Sequence, residues 1–298
     1  MENFIREIYD FLSDRGLAVR KAGSGCGYES LSVDLPSGKG TRTILLLGTT
    51  ASTLETAKTQ QKAAQAEISR IYSETGSYPL IITEDRWYSQ NEAMCQRILS
   101  HLEIFTQIYA RNCEIRRIDK ATAKAFLEAH HSYGDATCKY RYGLYLKRHT
   151  GHCHAERSEA SLSPGTLVAV ATFSNARKWI KGNKTIRSYE WTRYASLPGV
   201  RLSGGMGRLL KAFIKEVQPD DIMTYADLEW SEGKVYEQLG FTLEGTRPSV
   251  TFTIDTSEWS RTAMSSEATA GVDMPPPARR FFQNFGSNKY RLKLTDYQ

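Results

Sequence analysis

The sequence of 298 residues lacks several features that would place it in a familiar class. Its five cysteines are odd in number and form no Cys-x-x-Cys pair, so the sequence predicts no disulfide framework and favours a reducing compartment. No apolar run approaches the ~18 residues of a membrane span, and residues 1–7 show no basic stretch leading into an apolar one. We therefore expect a cytoplasmic protein that does not span a membrane.

A nucleotide-triphosphate loop ending in Gly-Lys-Ser/Thr is also missing. The glycine-rich stretch that is present, Ser203–Gly207, comes after three expected strands, too late for a dinucleotide fingerprint. The apolar residues that follow, from Leu209 to Val217, have helical spacing. A glycine turn that opens a helix exposes backbone N–H groups and binds anions well, although a turn with no ligand is the alternative.

Basic charge is concentrated in the second part of the chain. Residues 1–112 carry 12 Lys and Arg against 13 Asp and Glu, whereas residues 113–298 carry 27 against 20. This excess points to an anionic ligand or a nucleic acid as partner of the second part. Ordinary surface solubility is the alternative.

Residues 1–110 are expected to form a small α/β domain. Hydrophobic periodicity and turn residues predict the following order: helix 3–15, strands 17–20, 29–35 and 41–47, helix 52–73, strand 78–83 and helix 91–102. This order resembles the PD-(D/E)xK nucleases, with Ser32-Val-Asp34, Ile44–Gly48 and Leu80–Trp87 as the matching landmarks. In an active member the strand at 44–48 would carry a carboxylate for Mg²⁺, but here it has no acid. The resemblance therefore implies an inactive, nuclease-like domain.

Residues 111–298 are expected to form a second α/β domain. Its predicted elements are strand 113–118, helix 119–130, strands 140–146, 166–173 and 185–193, helix 207–217, strand 222–227, helix 231–240 and strands 241–245, 250–254 and 288–294. Residues 174–179 are predicted to be a turn, and residues 256–285 a long loop. Residues 148–165 contain His149, His152, Cys153 and His154. They read as an inserted loop rather than a metal site, because no fixed frame supports the four ligands.

Two landmarks carry a second resemblance. The Gly205-x-Gly207 turn and Val235-Tyr-Glu-Gln-Leu-Gly-Phe241 resemble the GNAT N-acyltransferases over residues 113–255. The resemblance implies a mixed sheet flanked by helices, acetyl-CoA or another acyl-CoA as cofactor, and an amine as acceptor. The family pattern Arg/Gln-x-x-Gly-x-Gly/Ala puts Leu202 at its first position, with Arg201 one residue early. The segment Tyr225–Tyr236 is similar to the corresponding segment in a branch of the GNAT family from phages and mobile elements, which includes Mom-like proteins.

The GNAT resemblance also implies roles for individual residues. The cofactor loop would comprise Leu202, Ser203, Gly204, Gly205, Met206, Gly207 and Arg208. Tyr236 would protonate the leaving thiolate, and a packed aromatic is the alternative. Asp227, Glu190 or Glu229 would accept the amine proton, unless Asp227 or Glu190 is a structural partner of Arg193. The residues that would line the acceptor site are His131, Arg193 and Trp230.

Two functions follow as hypotheses. The first is an acyl-CoA-dependent N-acyltransferase whose amine acceptor the sequence does not identify, with a nucleic-acid base or another nucleic-acid-linked amine as the first hypothesis. The second is a nucleic-acid-binding protein of mobile-element origin that keeps the fold without catalysis. Basic residues interleaved with aromatics, as in Arg279-Arg280-Phe281-Phe282 and Arg177-Lys178-Trp179, suit phosphate contact and base stacking in either case.

Overall fold

The computed structural model describes residues 1–147, 162–264 and 278–297. The chain divides into two compact units: Met1–Glu103, Ala226–Gly233 and Thr246–Asn288 form the first unit, and Ile104–Tyr225, Lys234–Gly245 and Lys289–Gln298 form the second unit. The predicted boundary near 110 separates two consecutive stretches, whereas these units are interleaved along the chain. His149, His152, Cys153 and His154 of the predicted insertion lie outside the described residues.

The chain up to residue 117 alternates helices and short strands. Its elements are α1 (Glu2–Ser13), β1 (Val19–Gly25), β2 (Tyr28–Asp34), β3 (Thr41–Leu47), α2 (Leu54–Thr75), β4 (Leu80–Thr83), α3 (Glu84–Ser89), α4 (Asn91–His101), β5 (Thr106–Tyr109), a 3₁₀ turn (Ala110–Asn112) and β6 (Cys113–Arg117).

The remaining elements are mostly strands. They are α5 (Lys120–His130), β7 (Tyr140–Leu146), β8 (Leu167–Phe173), β9 (Arg177–Lys181), β10 (Lys184–Ser196), β11 (Val200–Ser203), α6 (Gly205–Val217), β12 (Asp221–Asp227), α7 (Lys234–Gln238), β13 (Thr242–Arg247), β14 (Thr251–Asp255), β15 (Ser260–Ala263), β16 (Arg279–Gln283) and β17 (Ser287–Lys293). The predicted α/β class is confirmed. None of the helices in the described part of the chain is both long and apolar enough to span a bilayer.

The first unit is built on a four-stranded sheet in the order β1-β2-β3-β4. Strands β1 to β3 are antiparallel neighbours, and β4 runs parallel to β3. Because side chains alternate across a strand, Ile44 and Leu46 face one core, which also holds Phe4 and Ile8 of α1. Leu45 and Leu47 face the other core. The two cores lie on opposite faces of this sheet.

The predicted long loop 256–285 contains two strands in the described residues. Strand β14 pairs antiparallel with β15 on one side and with β16 on the other. Phe282 of β16 is buried in the core that holds Leu45 and Leu47. The expectation of a long loop is therefore wrong at residues 260–263, which pair with β14 across a short turn, and at residues 279–283, which pair with it across a longer connection.

The second unit contains most of a mixed sheet in the order β13-β17-β12-β10-β8-β7-β6. Helix α5 begins at Asp119, whose side chain accepts a hydrogen bond from the Thr122 N–H at 2.7 Å, as its capping role predicts. α5 packs on the sheet face that carries Val170 and Ala195. Phe213 of α6 stacks on Phe173 with ring centroids 3.9 Å apart, so α6 covers the opposite face.

Candidate functional site

Two parallel strands of the second unit part at the middle of the sheet. β10 and β12 pair from Ser188 opposite Asp221 to Glu190 opposite Met223. From Trp191 onward β10 pairs with β8 on its other edge, with a bulge between Trp191 and Arg193. Among the described residues the ladder between β10 and β12 ends at Glu190. Beyond Glu190 no described strand pairs with that edge of β10, and the carbonyls of Trp191, Thr192 and Arg193 accept hydrogen bonds from side chains. An extended ligand could bind along this edge as an added strand.

A buried carboxylate stabilises the end of the sheet at which β10 and β12 are paired. Asp221 is fully buried and accepts hydrogen bonds from Ser188 Oγ at 2.5 Å, from Arg291 Nη1 at 2.7 Å and from the Tyr297 hydroxyl. Charge-assisted bonds of this kind are stronger than neutral ones. Asp221 therefore holds β10, β12 and β17 together at the end where the strands meet.

A tyrosine hydroxyl lies at the point where the strands part. Thr224 Oγ1 donates to the Trp191 carbonyl at 3.2 Å, and the Tyr236 hydroxyl is hydrogen-bonded to Thr224. The Tyr236 ring packs on Trp191, Phe241 and Tyr290, with ring centroids 5.6–6.1 Å away. Burial raises the pKa of Tyr236, and the bond to Thr224 offsets only part of that rise. Tyr236 is therefore a protonated phenol at neutral pH, and its predicted role as the acid stays a prediction.

Glu190 is the last residue of the parallel ladder and has a half-buried side chain. Its backbone N–H donates to Ser174 Oγ at 2.8 Å. Among the described residues, its carboxylate takes part in no ion pair or hydrogen bond. Arg193, its predicted structural partner, donates instead to the carbonyls of Gly134 and Thr192 at 3.2 and 2.9 Å. The predicted structural pairing of Glu190 with Arg193 is therefore absent among the described residues, and the role of Glu190 as the base stays a prediction.

The glycine turn opens α6 without any side-chain cap. Gly204 caps the helix in the left-handed conformation, with φ +77°, and its carbonyl accepts the Arg208 N–H at 3.1 Å. The N–H groups of Gly205, Met206 and Gly207 belong to the first turn, which has no partners within the helix. Amides and a helix dipole in this arrangement are suited to bind an anion, and the binding of a cofactor phosphate here stays a prediction.

Three residues of the predicted cofactor loop support the turn. A Cβ at Gly205 would lie 2.7 Å from Leu202 Cδ2 and 3.0 Å from the Tyr194 hydroxyl, so Leu202 packs against the glycine. The Arg208 guanidinium donates to the carbonyls of Ala110 and Cys113. A direct contact of Leu202 or Arg208 with a cofactor stays a prediction.

Ser203 is oriented by a neighbouring strand. β11 runs parallel to β5, and Gln107 Nε2 donates to Ser203 Oγ at 2.9 Å. Because Ser203 Oγ accepts this bond, its own hydroxyl proton can be donated to an anion. The Arg201 guanidinium lies 5.2 Å from the Phe105 ring centroid.

His131 and Arg193 meet at one turn of the second unit. His131 ends α5, and its Nδ1 accepts the Tyr133 N–H at 3.1 Å, which places the ring proton of neutral histidine on Nε2. The turn closes with the Gly134 N–H on the His131 carbonyl at 2.8 Å. Gly134 also accepts the hydrogen bond from Arg193 Nε. The structure thus brings these two predicted acceptor-binding residues to the same turn.

Asp227 and Trp230 belong to the first unit. The Asp227 carboxylate accepts the Glu229 N–H at 2.9 Å and stabilises the turn after β12. The Trp230 ring lies under the guanidinium groups of Arg97 and Arg86, which are 4.2 and 5.3 Å from its centroid. These contacts are structural, and a role of either residue in catalysis or acceptor binding stays a prediction.

Sequence reasoning missed Thr224 and Asp221. Both are polar residues at buried positions of an apolar strand, and that pattern could have marked them. Their hydrogen bonds to β10 depend on the register, which the pattern does not reveal. Among the described residues, no group of three or more His, Cys, Asp and Glu side chains is arranged to hold a metal ion.

No protein-family model and no curated protein sequence matches the chain. Its structure is similar to Eis1 from Mycobacterium abscessus (TM-score 0.33, 15% identity), over 49% of this chain and 34% of Eis1, so it spans about a third of that protein. It is also similar to a GNAT-family acetyltransferase from Bacillus anthracis (TM-score 0.30, 14% identity), over 61% of this chain and 95% of that chain. An acetyltransferase related to HPA2 from Corynebacterium glutamicum is similar at a TM-score of 0.31 and 13% identity, over 78% of this chain and 94% of that chain.

Proposed function

We propose that this chain is an N-acyltransferase that moves an acyl group from an acyl-CoA, first of all acetyl-CoA, to an amine. The observation that carries the proposal is the opening between β10 and β12, with the Tyr236 hydroxyl at its apex and Glu190 at the end of the ladder. The chain then continues through β11 to the start of α6, where no side chain caps the helix. One unit thus offers an unpaired strand edge, an acid, a base and an anion-binding turn.

The residues present fit the parts of an acyl-CoA. The free edge of β10 beyond Glu190 would pair with the amides of the pantetheine arm, as an added strand does. The N–H groups of Gly205, Met206 and Gly207, with the Ser203 hydroxyl, would bind the pyrophosphate. When bound, acyl-CoA supplies a thioester, whose acyl carbon is open to attack by an amine.

Glu190 and Tyr236 divide the proton transfers. Glu190 takes a proton from the attacking amine as its nitrogen forms a bond to the acyl carbon. Tyr236 gives its hydroxyl proton to the sulfur as the carbon–sulfur bond breaks. Tyr236 is protonated at neutral pH, as any tyrosine with its ordinary or a raised pKa is, so it holds a proton that it can transfer. The products are an N-acylated acceptor and free CoA; Glu190 releases the amine proton to solvent, and Tyr236 regains a proton from solvent.

The first unit supports a second part of the proposal. Its order α1, β1, β2, β3, α2, β4, with β4 parallel to β3, agrees with the predicted nuclease-like arrangement. Strand β3 is Thr-Arg-Thr-Ile-Leu-Leu-Leu and carries no acid. We therefore infer a nuclease-like unit without metal-dependent hydrolysis, joined to a Mom-like acyltransferase unit of mobile-element origin.

Isothermal calorimetry with acetyl-CoA tests the proposed function. Met206→Glu places a negative charge in the first turn of α6, where it repels the pyrophosphate but favours the helix itself. We expect acetyl-CoA to bind the natural chain and to bind this variant about 100-fold or more weakly. The matched control, Met206→Gln, should keep the affinity within about threefold, because it has nearly the same shape without the charge.

Two results would contradict the proposal. Equal affinity for acetyl-CoA in Met206→Glu and the natural chain would show that the turn is not the pyrophosphate site. No binding by the natural chain at millimolar acetyl-CoA, with DNA binding retained, would instead support the non-catalytic nucleic-acid-binding protein.

A further inference from the structure

A two-stranded ribbon of the second unit concentrates positive charge. No Asp or Glu occurs between residues 162 and 189, while five basic residues do: Arg177, Lys178, Lys181, Lys184 and Arg187. All five lie on β9 and the beginning of β10. The sequence predicts a turn at 174–179, so this ribbon is evident only from the structure.

The ribbon extends beyond the sheet. β9 pairs antiparallel with residues 184–188 of β10 around Gly182, and β10 is its sole strand partner among the described residues. On its other edge, β10 pairs with β12 only from Ser188. At the base of the ribbon Trp179 packs edge-on against Tyr297, with ring centroids 5.4 Å apart. This contact holds the ribbon to the sheet.

Four of the five cations are uncompensated. Arg187 lies 3.5 Å from Asp220. Within the described ranges, the other four form no ion pair, and Lys184 Nζ donates only to the neutral carbonyl of Asp296. These four side chains are exposed, and Ile180 is 77% exposed between Lys178 and Lys181. Clustered cations without nearby acids repel one another, which raises the free energy of the unbound protein. A bound polyanion offsets this repulsion.

We propose that this ribbon, residues 177–187, binds duplex DNA. The major groove of B-DNA is about 12 Å wide and admits a two-stranded β-ribbon, whereas the deep, narrow major groove of duplex RNA does not. Lys178 shares one face of the ribbon with Ile180, and Arg177, Lys181 and Lys184 lie on the other face, so the four cations contact phosphates on the two sides of the groove. Ile180 provides an apolar contact to base edges, such as a thymine methyl group.

The ribbon leads directly to the candidate active site. Lys184 and Arg187 precede Glu190 by six and three residues on the same strand, or roughly 20 and 10 Å of extended chain. DNA bound on the ribbon therefore lies within reach of the base that accepts the amine proton. This step, that the bound DNA carries the acceptor amine, rests on the proposed function, whereas the binding of DNA does not.

Fluorescence anisotropy with a labelled 20-base-pair duplex tests the ribbon. We expect binding that weakens steeply between 50 and 200 mM salt. Lys178→Gln with Lys181→Gln should weaken binding at least tenfold and reduce the salt slope by about 1.8, since each lost phosphate contact removes about 0.9. The matched control, Lys211→Gln with Lys215→Gln on the exposed face of α6, removes the same charge and should change the affinity less than twofold.

Equal losses in the two double variants would overturn the proposal, because net charge rather than the ribbon would then bind DNA. Tighter binding to single-stranded DNA or duplex RNA would overturn it as well. Calorimetry with acetyl-CoA separates this inference from the proposed function. Ribbon variants that lose DNA but keep acetyl-CoA support the ribbon, and a natural chain that binds DNA but not acetyl-CoA disproves only the acyltransferase.

Discussion

Two carboxylates, one from each compact unit, have opposite surroundings: Glu229 is buried among arginines, and Glu190 is half-buried at a strand end. In the first unit the Glu229 carboxylate, 2% exposed, is bound by Arg86 Nε at 2.9 Å and by Arg261 Nη1 at 2.9 Å. Arg261 also binds Asp85 through two bonds of 2.6 and 2.9 Å. In the second unit, Glu190 and Tyr236 lie at a strand opening, and Glu190 has no ionic partner among the described residues.

The pKa shifts of Glu229 and Tyr236 have different causes, which distinguish a structural group from a proposed catalytic one. Burial alone would raise the pKa of Glu229, but the charges and hydrogen bonds of Arg261 and Arg86 lower it below its ordinary value. Burial dominates at Tyr236 and raises its pKa. A buried acid with all of its partners holds a fold together, whereas polar groups with few partners remain available to a substrate.

The largest effect is expected from Tyr236→Phe, which removes the hydroxyl but keeps the ring packing. We expect kcat to fall by about 10²–10⁴, the usual contribution of a general acid, with KM for acetyl-CoA within about threefold. Thiol release from acetyl-CoA with spermidine or duplex DNA as acceptor measures both. The control, Tyr290→Phe, changes another ring of the same aromatic cluster and should leave kcat intact. An unchanged kcat in Tyr236→Phe would show that Tyr236 only packs in the aromatic cluster and takes no part in proton transfer.

The second prediction concerns Glu229→Gln in the first unit. Removing this charge leaves Arg86 and Arg261 buried without their shared partner, which should lower the free energy of unfolding by about 3–5 kcal/mol. Urea unfolding measures this loss. The control, Glu74→Gln, breaks an exposed pair with Arg70 and should cost no more than about 0.5 kcal/mol. Similar losses of unfolding free energy in both variants would contradict the structural role assigned to the buried Glu229 carboxylate.

A pH series sharpens the same point. Because the folded-state pKa of Glu229 is lowered, its contribution is fully present above the unfolded value of about 4.3 and is lost as pH falls toward the folded pKa. The stability gap between the natural chain and Glu229→Gln should therefore narrow by about 1–3 kcal/mol between pH 5 and pH 2. A constant gap over this range would show that Glu229 titrates normally in the folded chain.

The regular elements could be predicted because each carries its own periodic pattern. The apolar spacing from Leu209 to Val217 predicts α6, and the predicted strand 41–47 has the bounds of β3. β9, β15 and β16 were missed because their residues are largely polar or partly exposed, so no apolar alternation marks them. The first unit also depends on contacts such as Arg86 to Glu229, which are 143 positions apart.

The candidate site was predictable in part. The glycine turn and the Tyr236 segment have short motifs, and the structure positions both in the second unit. The strand opening has no motif, because it arises from the register that ends at Glu190 and from the bond of Asp221 to Ser188. Asp227 has the pattern of a functional acid, yet its carboxylate stabilises a turn of the first unit.

The smallest effect compares two glycines of the anion-binding turn. Gly205→Ala should lower the free energy of unfolding by about 1–3 kcal/mol, because its Cβ would lie 2.7 Å from Leu202 in a packed region. At Gly207 the nearest atom to a new Cβ is Leu239 Cδ2, at 3.3 Å, the end of a half-buried flexible side chain. Gly207→Ala should therefore raise stability by about 0.5 kcal/mol through helix propensity. Thermal unfolding of both variants measures this difference. Destabilisation by both variants would mean that the side chains around Gly207 are packed as tightly as those around Gly205. The turn at the start of α6 would then leave less room for a ligand.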